Sequence, residues 1–198
     1  LSDVTGGQLP VTSEGGVVEV TEEINYGCTD PDATNYDPGA NIDDGTCEYS
    51  VVQTIALDPY TFNNTSFNVI PNDLSFSAIM ENVNVLLAVN GSSDYFVPDF
   101  GVDQIGSLNI VDGYKVFLSG TNSETLTIEG SPVDVLNTQL TFNPFTLNLI
   151  SYLPQDCMAT SDVFAGYEDD ILLVKSSDGY YIPSYGVETL SEMCGGEA

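Results

Sequence analysis

The chain is 198 residues long, with 30 carboxylates against two lysines, no arginine and no histidine, for a net charge of −28. That balance excludes neutralisation of a phosphate backbone and with it nucleic-acid binding, offers no basic cluster to an anionic membrane, and removes every histidine-dependent catalytic arrangement. No apolar run approaches the roughly 20 residues that span a bilayer, while 42% apolar residues, with Tyr and Phe spread from Tyr26 to Tyr185, supply core material that a disordered acidic chain lacks.

So dense a negative charge repels itself in a compact state unless cations or salt screen it, so a saline or divalent-rich medium is expected. The first residue is Leu1 and not Met, as expected if an export signal has been removed or if the chain is a fragment. Four cysteines, at positions 28, 47, 157 and 194, form no Cys-x-x-Cys pair and read as disulfides made in an oxidising, extracellular compartment.

Residues 1–26 read as an extended arm with one β-strand, Gly16, Val17, Val18, Glu19, Val20 and Thr21, flanked by Gly, Ser, Thr and Pro. Residues 27–49 change abruptly to a Cys-bounded, Asp/Asn-rich module with almost no aliphatic side chains. From residue 50 onward short apolar runs (Val51–Leu57, Val83–Val89, Tyr114–Leu118, Leu136–Phe142, Ile171–Lys175) are broken by Asn, Gly, Pro and Asp, the pattern of short strands and turns. Helix is expected only around Asp73–Met80 and Met158–Phe164.

An internal repeat organises this region. LLAVNGSSDYFVPDFGVDQIGSL (86–108) aligns without gaps, at an offset of 85, with ILLVKSSDGYYIPSYGVETLSEM (171–193), and SFNVI (66–70) matches TLNLI (146–150). The expected fold is therefore mainly β: two similar β-rich lobes, residues 50–130 and 131–198, copies of one unit of about 80 residues. In the first copy Asp112-Gly113 leads into the strand Tyr114–Leu118, whereas the second stops at Gly196-Glu197-Ala198 and so lacks its last strand. An edge left so is filled, covered or paired in folded proteins. GGVVEVTE (15–22) lays over DGYKVFLS (112–119), so the arm is a candidate filler in cis or in trans, beside truncation of the chain or a tolerated open edge.

Asp30, Asp32, Asn35, Asp37, Asn41, Asp43 and Asp44 crowd into the loop between Cys28 and Cys47, an oxygen-ligand density that suits Ca²⁺ without matching an EF-hand. The same residues also read as Asx-turns in a loop tied by a Cys28–Cys47 disulfide. Cys157 and Cys194 fall in the second copy only, most simply as one bridge. No nucleophile with a base is visible, and Glu168-Asp169-Asp170 and Asp43-Asp44 read as solvated loops, so no enzyme is expected. Tyr95, Phe96, Phe100 and Tyr180, Tyr181, Tyr185 recur at one place in both copies, which points to core or inter-lobe packing.

The stretch GCTDPDATNYDPGANIDDGTC (27–47) resembles a short repeat of secreted and surface proteins of marine bacteria and some large aquatic viruses, and is similar to calcium-binding thrombospondin type 3 repeats. Residues 146–193, with NLISYLP and LLVK…GYYIPSYG, resemble a unit near the C-termini of large secreted Bacteroidota proteins, with Phe67 and Leu147 where that family usually has Trp. The resemblances imply an extracellular, non-enzymatic surface component. The expected function is a structural subunit of an extracellular filament or matrix, in which the arm strand enters the second lobe of a neighbouring copy; the alternative is a monomeric adhesion or glycan- or partner-binding module.

Overall fold

The computed structural model describes residues 11–14, 17–20 and 23–196. The chain forms two compact units, residues 1–49 and 50–198. It is mainly β, and its helices are single turns.

In the first unit, β1 (Val11–Glu14) and β2 (Val17–Val20) pair antiparallel, Val11 opposite Val20 and Glu14 opposite Val17. The arm thus carries a hairpin where its sequence suggests one strand; Gly16 and Thr21 lie outside the described residues. Val-Thr-Ser-Glu has no apolar alternation of its own, and only pairing with β2 makes it a strand. In the module, β3 (Tyr26–Gly27) and β4 (Ile42–Asp43) run parallel. The Cys28–Cys47 disulfide closes the loop with 4.8 Å between Cα atoms, and Cys28 and Ala33 are the only buried side chains described in this unit.

The first half of the second unit is a two-layer β structure. One sheet has β5 (Val51–Leu57), β12 (Glu124–Pro132) and β7 (Val69–Pro71), in the order β5-β12-β7. The other has β6 (Phe62–Thr65), β8 (Val85–Asn90), β9 (Tyr95–Val97), β10 (Val102–Asp103) and β11 (Tyr114–Leu118), in the order β10-β9-β8-β11-β6. Period-two alternation decides which face packs: Gln53, Ile55 and Leu57 of β5, Leu126 and Ile128 of β12, and Tyr114, Val116 and Leu118 of β11 are all buried. α1 (Phe76–Ile79) inserts Phe76 between the layers, stacked on Tyr114 at 5.1 Å and edge-on to Phe96 at 5.5 Å. The Tyr114 hydroxyl donates to Asn109 O, and burial pushes its pKa up to about 12. Gly130 is required where β12 meets β7, because a Cβ there would collide with the backbone of Ile70.

The second half has a smaller core of Tyr152, Phe164, Tyr181, Leu190 and Met193. Around it lie β13 (Met158–Ala159) paired with β17 (Glu192–Met193), α2 (Thr160–Val163), and a sheet of β14 (Val174–Lys175), β15 (Tyr180–Ile182) and β16 (Val187–Glu188). The Cys157–Cys194 disulfide joins the segments flanking β13 and β17.

The halves meet through reciprocal backbone contacts. Ser151 N donates to Val111 O at 3.2 Å and Ser66 N donates to Gly196 O at 3.0 Å. At an offset of 85 Ser66 stands with Ser151 and Val111 with Gly196, so these two bonds follow that offset and not the offset of 80 implied by matching SFNVI (66–70) to TLNLI (146–150). Ser151 Oγ donating to Asp112 O and Gln155 Nε2 donating to Asn68 O add to the seam.

Candidate functional site

Local geometry recurs at both ends of the second unit. Gly101 and Gly186 end equivalent single turns in the left-handed region, at φ 62° and 61°, both with ψ 29°. Tyr60 and Phe145 share positive φ, 65° and 60°. Asn63 brackets Asp58 through its N–H and carbonyl, at 2.8 and 3.0 Å, and Asn148 brackets Asn143 at the same two distances. Gln104 N donates to Tyr95 O at 2.9 Å, as Thr189 N donates to Tyr180 O at 2.8 Å.

The surroundings of these matched segments differ. β8 is a central strand, paired with β9 on one side and β11 on the other. β14 pairs only with β15, so its other edge is open among the described residues. Beside it Leu172 is 79% and Leu173 42% exposed. Residues 136–149 lie in no strand, and Leu136, Phe145 and Leu147 are all more than nine-tenths exposed. In the first half the corresponding stretch, β5 and β6, is held by β12 and β11. Among the described residues no strand pairs with residues 136–149.

The ladder fixes which backbone groups face the open side. Ser176 N donates to Gly179 O across the β14–β15 turn, and strand N–H groups alternate sides, so the amides of Leu173 and Lys175 point to the open edge. A cleft of about 340 Å³ in the second half is lined by Glu168, Asp169, Asp170, Ile171, Leu172, Pro183 and Ser184. Its acids face no described cation, and the N–H groups of Glu168 and Gly166 hold the Glu168 carboxyl below its ordinary value.

One pairing corrects the ungapped alignment. Val174 lies opposite Tyr181 and Lys175 opposite Tyr180, whereas Ala88 lies opposite Phe96 and Val89 opposite Tyr95. Phe96 and Tyr181 are the buried equivalents, so Lys175 takes the place of Val89 and Val174 that of Ala88. The turn of the second hairpin is one residue shorter, and keeping the aromatic in the core outweighs keeping sequence register. Among the other aromatics, Tyr95 and Tyr180 are half-exposed and Phe100 and Tyr185 are 81% and 79% exposed; core packing holds for the middle residue of each set.

In the Cys-bounded module, Asp30 Oδ1 accepts from Asp32 N and its Oδ2 from the Tyr49 hydroxyl. Asp37, Asp43 and Asp44 each accept from the backbone N–H two residues on, and Thr46 Oγ1 adds a second bond to Asp44. Asn35 spans Thr46 O and Glu48 N, and Asn41 spans Asn25 N and Glu23 O. Asp32 is exposed. These bonds hold the Asp30 and Asp44 carboxyls below their ordinary value. Asp30, Asp37, Asp43 and Asp44 thus staple their own turns, Asn35 and Asn41 tie together segments distant in sequence, and among the described residues no three carboxylates of the module lie together. The Cys157, Glu192 and Cys194 grouping is a disulfide beside a carboxylate.

No family model matches the chain, and no solved structure matches it. It is similar over 33 residues, at 52% identity, to the chloroplastic ribulose bisphosphate carboxylase/oxygenase activase of Spinacia oleracea. That stretch is 17% of this chain and 7% of the activase, too little to transfer an activity. No helix among the described residues is long and apolar enough to cross a membrane.

Proposed function

We propose that the chain is a structural subunit of an extracellular filament or surface matrix, assembled when the arm of one copy adds a strand to the open second half of the next. The observation that carries this reading is β14: the strand in the place of a central one is here an edge, flanked by exposed Leu172 and Leu173. Unpaired edges with apolar flanks are templates for strand addition. The recurring turns, brackets and dihedral angles support reading the two halves as copies of one unit, with the first copy as its filled form. Head-to-tail donation is heterologous and propagates without closure, which suits a polymer. The two disulfides are compatible with an extracellular setting.

Phe100 and Tyr185, exposed at the same place on matched turns, favour a second reading, a monomeric adhesion or glycan-binding module. Sedimentation velocity of the intact chain over a concentration series separates the two: growth with concentration supports the subunit, a constant monomer the adhesion module. Because the chain carries −28, every encounter of two copies is repulsive overall. Raising salt from about 0.01 M to about 0.15 M shortens the screening length from about 30 Å to about 8 Å. Assembly is therefore expected to strengthen across that range, and light scattering at fixed concentration checks it; assembly favoured at low salt contradicts it.

A further inference from the structure

Resting on the donation reading above, we propose that the neighbour's hairpin docks intact, with β2 antiparallel to β14 in the register that sets Glu19 opposite Lys175. In the first half the residue opposite Val89 is Lys115, an exposed position, and the residues on either side of it, Tyr114 and Val116, are fully buried. Lys175 holds the place of Val89, so a strand in the place of β11 needs an outward residue opposite Lys175 with apolar residues before and after. Val18-Glu19-Val20 supplies that order. The overlay of residues 15–22 on 112–119 drawn from the sequence, which sets Val17 on Tyr114, is one residue away and would put a carboxylate at the fully buried place of Val116, where an unpaired charge is costly.

Charge selects the same register. The chain has two cations, and one of them, Lys175, stands on the open edge, its ammonium 5.8 Å from the Tyr180 ring. Glu19 is the only acidic residue within β2. The topology also closes: β1 is already paired with β2, Thr12 opposite Glu19, so docking gives the order β16-β15-β14-β2-β1. This repeats β10-β9-β8-β11-β6, antiparallel throughout, with Thr12 in the place of Asn64 opposite Lys115. Residues 146–149, the sequence counterpart of β6, lie in no strand, so among the described residues no ladder stands where β1 would lie beside the added β2.

Charge reversal tests the register in the full chain. Lys175→Glu and Glu19→Lys are each expected to weaken association about three- to tenfold at about 0.05 M salt, and the double variant to restore it. Glu81→Lys, remote from β14 in sequence, matches the net-charge change of Glu19→Lys and is expected not to weaken association. Single variants that assemble like the parent, or a double variant no better than the singles, overturn the register. If these null results accompany loss of assembly on deleting the arm, donation stands and only the register falls; a parent chain that never assembles overturns both.

Discussion

A chain lacking residues 1–22 is expected to stay monomeric at every concentration at which the intact chain assembles. The second unit is compact apart from the arm's unit, with its own two cores and the Cys157–Cys194 bridge, so the deletion leaves its fold intact. What is lost is the added strand. Burying two valines stabilises by about 3–6 kcal/mol, which corresponds to about two to four decades in Kd before the cost of ordering is subtracted. Sedimentation equilibrium of the deleted and intact chains, with near-UV circular dichroism to confirm the fold, checks it. Undiminished assembly by the deleted chain would remove the arm from the account.

Replacing Cys28 and Cys47 by serine is expected to open the small module while leaving the second unit untouched. The bridge closes a span of 19 residues, and constraint of the unfolded chain alone contributes about 3 kcal/mol. Little else holds the module: two buried side chains make no core, and the remaining Asx-turns, Asn35 and Asn41 bridges and two-residue β3–β4 pair are largely exposed. Hydrogen exchange of the module amides should accelerate by about 100-fold, with residues 50–196 unchanged. Asp30 and Asp44 add a pH dependence of known sign. Their folded pKa values lie below the ordinary 3.8, so their contribution is complete above that value and is lost only as pH falls through the lowered one. The oxidised module should therefore keep its exchange protection at pH 5.

Much of this was legible in the residues, and the failures have physical causes. Cysteine number and position gave both pairings, because no metal or redox spacing competed with them. Val51–Leu57 and Tyr114–Leu118 alternate and are strands over those spans. Leu136–Phe142 alternates equally well yet forms no strand, since its match in the first half, β5, is held by β12 and the second half offers no such partner. A period-two pattern states which face would pack, not whether a neighbour exists. The segment expected to be helical over Asp73–Met80 is helical only over Phe76–Ile79, because Asp73 turns the chain by accepting from Ser75 N and Oγ. The one-residue slip at Lys175 was hidden because a shorter turn keeps the flanking sequence alignable while moving the strand. The Asp/Asn-rich loop carries two readings because the same short oxygen side chains make Asx-turns and suit a calcium shell, and the turns it forms are consistent with both.

The claim that one copy's arm enters another copy's open edge is tested most directly by mixing two chains that can each do half of it. The arm-deleted chain keeps the edge; a Leu173→Pro chain keeps the arm but loses an outward amide at the edge without breaking the β14–β15 ladder. Each alone should sediment as a monomer, and an equimolar mixture should form a 1:1 heterodimer that grows no further. A mixture that stays monomeric, or a Leu173→Pro chain that polymerises alone, would contradict the account.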